Sequence, residues 1–370
     1  MRCGIEFEYL LIDTQGESTG RIRDFSNLTL PEITRMLGDK PGRDDTRLAT
    51  GDLGIRSGYW YLEGDERFDE QGQFRTLIVK GVEVRTPPAD SVAEAVRSLV
   101  ELEAALSERL AQHGLGLAIN SYHPVHVGYA HDPPLNAWEQ RLRRSEPSYD
   151  GSLVSTLTYG PDINLSFAGW TAAQCLDAAR KLEAYGPYIV PFSFSSPYYA
   201  GALWGGVSKR TWERAGQRPV VKLYLDEKQA YLGASSRLVH EARSAHEHGR
   251  IEFKAFDVLP SVTLLTACTQ LLVGVCLDEQ LPERTETADV ALYRRAALHG
   301  FADPAVYAGA ATLLERATAA LLRCEGAESA STLEPLVALL AQRSSPAASL
   351  IALHAQTGRL YWPYGLADSP

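Results

Sequence analysis

Sulfur is scarce in this chain: 370 residues hold two methionines and five cysteines. The cysteines (Cys3, Cys175, Cys268, Cys276, Cys324) are scattered, odd in number and never spaced Cys-x-x-Cys. That excludes a thiolate zinc ribbon and gives no disulfide framework. Cys268 and Cys276 lie in an apolar stretch and read as buried thiols of a reducing cytoplasm. Positive charge is also in deficit, with 36 Lys and Arg against 46 Asp and Glu and a formal net charge of −10. A general nucleic-acid binder is therefore disfavoured. The longest apolar run, around Leu264–Leu277, is short and interrupted by Thr and Gln, which argues against a membrane span. The strand pattern starts within four residues of Met1, so no signal peptide is expected. There is no Gly-x-Gly-x-x-Gly dinucleotide loop, no Walker spacing, no Gly-x-Ser-x-Gly elbow, no internal repeat and no low-complexity tract.

What is present is one pattern repeated five times. Ile5-Glu6-Phe7-Glu8-Tyr9, Tyr59-Trp60-Tyr61-Leu62-Glu63, Val82-Glu83-Val84-Arg85, Asp162-Ile163-Asn164-Leu165-Ser166 and Ile251-Glu252-Phe253-Lys254 each alternate apolar and polar residues. Side chains alternate across a strand, so each segment has an apolar side and a carboxylate- or amide-bearing side. Joined in one sheet, the strands give a core on one face and a cluster of acids on the other. Gathered carboxylates are costly unless neutralised, and hard divalent cations neutralise them best. Glu6, Glu8, Glu83 and Glu252 are the expected ligands of two or three Mg²⁺ ions, with Mn²⁺ as an alternative; pairing with Arg85, Lys80 or Lys254 is the competing reading. Arg250, Glu252 and Lys254 share a face. A cation beside a metal ligand suits phosphoryl transfer, where charge on the migrating group must be spread.

Around these strands, residues 38–53 read as a loop. A hairpin runs from Ile55 to Glu63, turns at Gly64-Asp65-Glu66-Arg67 and returns from Phe74 to Arg85. Residues 91–113 read as a helix: Ser91 with Glu94 is a capping box, and Val92, Val96, Leu99, Leu102, Leu106 and Leu110 form one stripe. A strand near Leu117–Ser121, a helix over roughly Thr171–Tyr185, strands near Val220–Leu225 and Arg250–Phe256, and helices from Ser261 onward complete the chain. Strands and long helices without regular alternation indicate an α+β fold, read as one domain over 1–370 with a mainly helical part from about 261. The segment 191–219, rich in Ser, Gly, Tyr and Arg, is long enough for a functional loop. His123 and His126 flank Pro124, which disfavours a helical metal pair, and His246 and His248 flank Glu247 in an expected exposed turn; both pairs stay outside the predicted site.

Gly4-Ile5-Glu6-Phe7-Glu8, Gly81-Val82-Glu83-Val84-Arg85-Thr86-Pro87-Pro88 and Arg250-Ile251-Glu252-Phe253-Lys254-Ala255-Phe256-Asp257 resemble, in motif order and overall length, the glutamate–cysteine ligase and carboxylate–amine ligase families of the glutamine synthetase-like superfamily. The resemblance covers roughly residues 4–260. It implies a half-barrel of antiparallel strands with helices outside and ATP with Mg²⁺ on the concave face. Metal-ligand roles fall on Glu6, Glu8, Glu83 and Glu252. Asn164 matches a His-x-Asn element, and Ser195–Gly201 resembles a substrate and nucleotide loop, so Asp162, Asn164, Ser196 and Lys209 are expected near the nucleotide. Lys254, Arg250 and Arg210 are expected to steady the phosphoryl group, and Arg85, Lys209 and Arg210, with Tyr61 nearby, to grip the carboxylate substrate. The implied reaction joins glutamate to a small amine, cysteine by default, in the cytoplasm, in an enzyme expected as a homodimer. A guanidino-kinase-like phosphotransferase and a non-catalytic MgATP sensor are the alternatives. The chain departs from the family pattern twice: Asp162 stands where the first His is usual, and Lys254 where the phosphate-facing Arg is usual. The second change keeps the charge but loses the planar fork.

Overall fold

A computed structural model describes residues 1–38, 58–145, 152–226 and 234–369; the loop expected over 38–53 and the start of the hairpin at Ile55 lie almost wholly outside them. The strands are β1 (Arg2–Asp13), β2 (Ile22–Arg23), β3 (Tyr59–Phe68), β4 (Phe74–Arg85), β5 (Leu115–Ala118), β6 (Pro161–Ser166), β7 (Tyr198–Tyr199), β8 (Ala202–Leu203), β9 (Val221–Leu225), β10 (Val239–Glu241) and β11 (Ile251–Phe253). Nine of them form one sheet in the order β10-β9-β11-β6-β1-β4-β3, with β2 and β5 paired to β1. All neighbours are antiparallel except β9 and β10. The five patterned segments are thus the five consecutive strands β11-β6-β1-β4-β3, and the curled α+β half-barrel is the glutamine synthetase-like fold expected from the sequence.

The apolar sides of these strands, including Ile5, Phe7, Tyr9, Val82, Val84, Ile163, Leu165, Ile251 and Phe253, are buried in one core. Two helices, Val92–Ala111 and Ala172–Ile189, cover that face, and a third, Val262–Leu277, packs against both. Val92–Ala111 is capped by Ser91, whose side chain accepts from the Glu94 amide. Ala172–Ile189 starts with a full capping box between Thr171 and Gln174. Val262–Leu277 is buried nearly all round, and Lys181 from the preceding helix donates to the carbonyls of Cys276 (2.8 Å) and Asp278 (2.9 Å) at its C-terminal end. Cys3, Cys175, Cys268 and Cys276 are buried free thiols. Among the described residues no single helix is long and apolar enough to cross a membrane.

The hairpin differs from expectation. Gly64–Arg67 is not a turn: β3 continues to Phe68 and the reversal falls at 69–73. The charges there are internal. Asp65 accepts from Tyr129 Oη at 3.0 Å and Arg143 at 2.7 Å, and Arg67 binds Glu139 at 2.8 Å. The register slips between Glu63 and Gly64, where a Cβ would lie 2.0 Å from the Ile78 carbonyl oxygen. Glycine there marks a bulge, not a bend.

Candidate active site

Register delivers the site. Glu6 lies opposite Arg85 on one side and Asp162 on the other; Glu8 and Tyr61 both oppose Glu83; Glu252 opposes Asn164. Directly opposed residues share a face. These side chains, with Glu63, Arg250, Lys254 and Arg210, therefore line one cleft of about 850 Å³ on the concave side of the sheet.

Each carboxylate is held by a specific donor. Glu8 takes Lys80 Nζ at 2.6 Å and the Gly160 amide at 3.0 Å. Glu83 takes Tyr61 Oη at 2.6 Å and Arg85 Nε at 2.9 Å. Glu6 takes another Arg85 nitrogen at 2.8 Å and Asn164 Nδ2 at 3.1 Å. Glu252 takes Tyr224 Oη at 2.9 Å and Lys254 Nζ at 2.7 Å. Two triads result, Glu8–Glu63–Glu83 and Glu6–Asp162–Glu252, each with one ligand oxygen per residue within 4.8 Å of the others. Burial pushes the Glu83 and Glu6 carboxyls up, against the opposing pull of Arg85. For Glu252 burial acts in the same direction, but Lys254, Lys222 and Arg250 overcome it and hold the group well below the usual range. A divalent cation bound among Glu8, Glu63 and Glu83 fits this donor set, because the desolvated carboxylates there repel one another and offer the hard oxygens that Mg²⁺ takes.

The opposite end is cationic. Arg214, Arg218, Lys222 and Tyr224, which sequence reasoning missed, line the cleft beside Arg210. The signal was available: Arg210, Arg214 and Arg218 recur every four residues, and Lys222 and Tyr224 alternate along β9 as the predicted site residues do on theirs. The guanidinium of Arg210 donates to the carbonyls of Ala255 (3.0 Å) and Lys254 (3.2 Å), and Arg214 donates to the latter at 3.1 Å. Burial, with Arg210 and Arg218 close by, drives the Arg214 pKa well below its usual value. Ten arginines and lysines face seven acids in the cleft, in a chain whose net charge is −10. Cations drawn partly or wholly out of water, such as Arg210, Arg214 and Lys222, facing carboxylate triads form a receptacle for a polyanion together with its metal.

Two predicted residues are not in the cleft. Ser196 is buried beneath it, donating to Asp257 at 2.8 Å alongside Ser208 Oγ (2.9 Å) and the Ser195 amide (2.9 Å). Lys209 pairs with Glu213 at 2.5 Å and lies 4.3 Å over the Tyr199 ring. The loop instead positions Arg210, whose amide donates to Ser196 Oγ at 3.2 Å. The turn holding His246 and His248 is exposed as expected, yet His246, left outside the predicted site, lines the cleft, and Glu247 between them is buried and bonds both Arg250 and Arg243 (3.0 Å). Arg250 in turn lies over the Tyr224 ring and donates to Asn164 Oδ1 at 2.5 Å.

His123 and His126 also converge, away from the cleft. Their Nε2 atoms lie 2.7 and 3.1 Å from Asp24 Oδ2. His123 Nδ1 accepts the amides of Val125 (3.3 Å) and His126 (3.0 Å), so its proton is on Nε2, aimed at Asp24. A metal on Nε2 would need that proton on Nδ1, facing two N–H groups. Asp24, His123 and His126 thus bring three ligand atoms within 4.8 Å of one another, in a hydrogen-bonding pattern that suits a strut better than a metal.

The curved sheet with its acid-lined cleft is a glutamine synthetase-like half-barrel. The profile of glutamate-cysteine ligase family 2 matches residues 2–231, and the chain belongs to that family. It is 28% identical over 138 residues to the glutamate–cysteine ligase EgtA of Mycobacterium tuberculosis, a match covering 35% of this chain and 31% of that protein. It is 27% identical over 234 residues to a Rubrobacter xylanophilus protein named as a candidate glutamate–cysteine ligase 2-1, covering 58% of this chain and 61% of the relative. The match thus spans about a third of the first relative and three fifths of the second. The glutamate–cysteine ligase of Francisella tularensis, solved with AMP, shares the fold across 97% of this chain and 86% of its own, with a TM-score of 0.59 at 13% identity.

Proposed function

We propose that this protein is an ATP-dependent carboxylate–amine ligase that forms an amide, in the first instance with the γ-carboxylate of glutamate. The observation that carries this reading is the division of one cleft into two carboxylate triads and a cationic end. A kinase that only moves phosphate needs the same metal and cations; family membership favours ligation.

Glu8, Glu63 and Glu83 would hold Mg²⁺, which supplies neutralisation of the triphosphate oxygens. Any further ion of the expected two or three would enter at Glu6–Asp162–Glu252, against the ammonium already between two of those carboxylates. Arg210, Arg214, Arg250 and Lys222 receive the phosphoryl oxygens as charge spreads over them, while Lys254 is held between Asp162 and Glu252. A substrate carboxylate oxygen attacks the terminal phosphorus and ADP leaves. The amine nitrogen then attacks the acyl carbon, phosphate departs with that oxygen, and the nitrogen loses a proton. Tyr61 and Arg85, locked together over Glu83, face the substrate carboxylate. The chain acts as one catalytic unit in the cytoplasm, and the amine is small, cysteine being the first to try. Glutamate labelled with ¹⁸O in its carboxylates tests the route: label must appear in the released phosphate, and unlabelled phosphate would rule out an acyl phosphate.

A further inference from the structure

The two positions at which the chain departs from its family's pattern are partners. β6 and β11 are antiparallel with Glu252 opposite Asn164 and Phe253 opposite Ile163. The same register, continued by one residue, sets Lys254 opposite Asp162. Cross-strand neighbours have their Cβ atoms about 5 Å apart, so the backbone itself brings this pair together. The Lys254 ammonium bonds the Asp162 carboxylate and donates to Glu252 Oε1 at 2.7 Å, and all three side chains are at least four-fifths buried (16%, 20% and 7% exposed).

Asp162 and Glu252 are two of the three members of the Glu6–Asp162–Glu252 triad. A positive charge thus stands between the oxygens that a divalent ion would bridge. The other triad is different. Lys80 bonds only Glu8 among its members, giving its remaining hydrogen bonds to the carbonyls of Ser155 (3.1 Å) and Thr158 (2.9 Å), and Arg85 Nε bonds Glu83 at 2.9 Å, so Glu8 and Glu83 each have a cation of their own where Asp162 and Glu252 share one. The carboxylate of Asp162 gives the Lys254 ammonium its second partner beside Glu252.

We propose that the ammonium of Lys254 is the resident cation of the Glu6–Asp162–Glu252 triad, so that the cleft takes its divalent ion at Glu8–Glu63–Glu83 and none between Asp162 and Glu252. This rests on reading the cleft as a metal–nucleotide site. Lys254 and Asp162 then act as a built-in counter-ion pair that positions Glu252, and Arg210, Arg214 and Arg250 are left to meet the phosphoryl group.

The test counts Mn²⁺ bound per chain, without nucleotide, by electron paramagnetic resonance. Wild type and Glu252→Gln should give the same count, and Glu83→Gln should lower it. Lys254→Met should gain one ion, which Glu252→Gln in the same chain removes again. Lys254→Gln, also uncharged, guards against a variant that fails to fold and should show the same gain, whereas Lys254→Arg, which keeps the charge, should show none. A wild-type count that falls on Glu252→Gln, or no gain in a folded uncharged Lys254 variant, overturns the proposal. Calorimetry of MgATP binding to wild type separates the two readings: no binding sinks the parent reading, whereas binding with the wrong counts sinks only this inference.

Discussion

At the scale of single residues, the site is a matter of which carboxylates are left wanting charge. Glu83 is buried, bonded by Tyr61 and Arg85, and still pushed toward its protonated form by burial. Glu83→Gln therefore removes a ligand from the triad while keeping its shape. Amine-dependent phosphate release should fall on the order of 100-fold, with a higher Mg²⁺ requirement; a variant within twofold of wild type would remove Glu83 from the metal set. Asp24 shows the opposite electrostatics. Burial raises its carboxyl, but bonds from His123 and Ser26 outweigh that and hold it near a pKa of about 2, from a usual 3.8. A depressed acid contributes stability above its unfolded pKa and loses it as pH falls through the folded value. The window is thus pH 4 to 2, and the shift is worth about 2 kcal/mol. His123, whose own pKa is lowered mainly by burial, adds loss in the same direction below neutrality. Asp24→Asn should be less stable than wild type at pH 7, with the gap closing toward pH 2 in urea titrations; a gap that stays constant with pH would contradict this.

At the scale of elements, alternation was legible and composition misled. Period-two patterns located β1, β3, β4, β6 and β11, and with them Glu6, Glu8, Glu83 and Glu252, because a half-buried strand must alternate. Gly64-Asp65-Glu66-Arg67 looked like a turn since Gly and charges are usually exposed. Its charges are instead paired with the helix Ala137–Ser145, 72 residues away in the case of Arg67 and Glu139, which no local pattern reveals. Arg67 and Glu139 are 4% and 1% exposed, so Arg67→Met strands a buried carboxylate. The expected loss is about 3–5 kcal/mol, read as a shift in the urea midpoint; a loss under about 1 kcal/mol would mean the pair behaves as a surface bridge. The Ser-rich loop at 195–208 was misplaced for a related reason. Its hydroxyls serve Asp257 below the cleft, and only the tertiary fold shows which side of the loop faces the ligand.

At the scale of the whole molecule, an acidic chain encloses a cleft where cations outnumber acids ten to seven. Net charge said nothing of this, because the Arg210–Lys222 cations and the acids of β1 and β4 are far apart in sequence and meet only when the sheet curls. Family resemblance supplied the order of motifs, and the register supplied the geometry. It also supplied what resemblance obscured, that Asp162 and Lys254 are each other's partners.

The central claim is that this cleft couples cleavage of MgATP to joining a carboxylate and an amine. The direct measurement is phosphate release from MgATP with glutamate, across a panel of amines that includes cysteine, with Glu83→Gln beside the wild type. The account predicts release that requires both glutamate and one amine, with the matching amide as product, and loss of both in the variant. Nucleotide binding with no release on any amine, or phosphate carried onto the amine nitrogen with no amide formed, would contradict it.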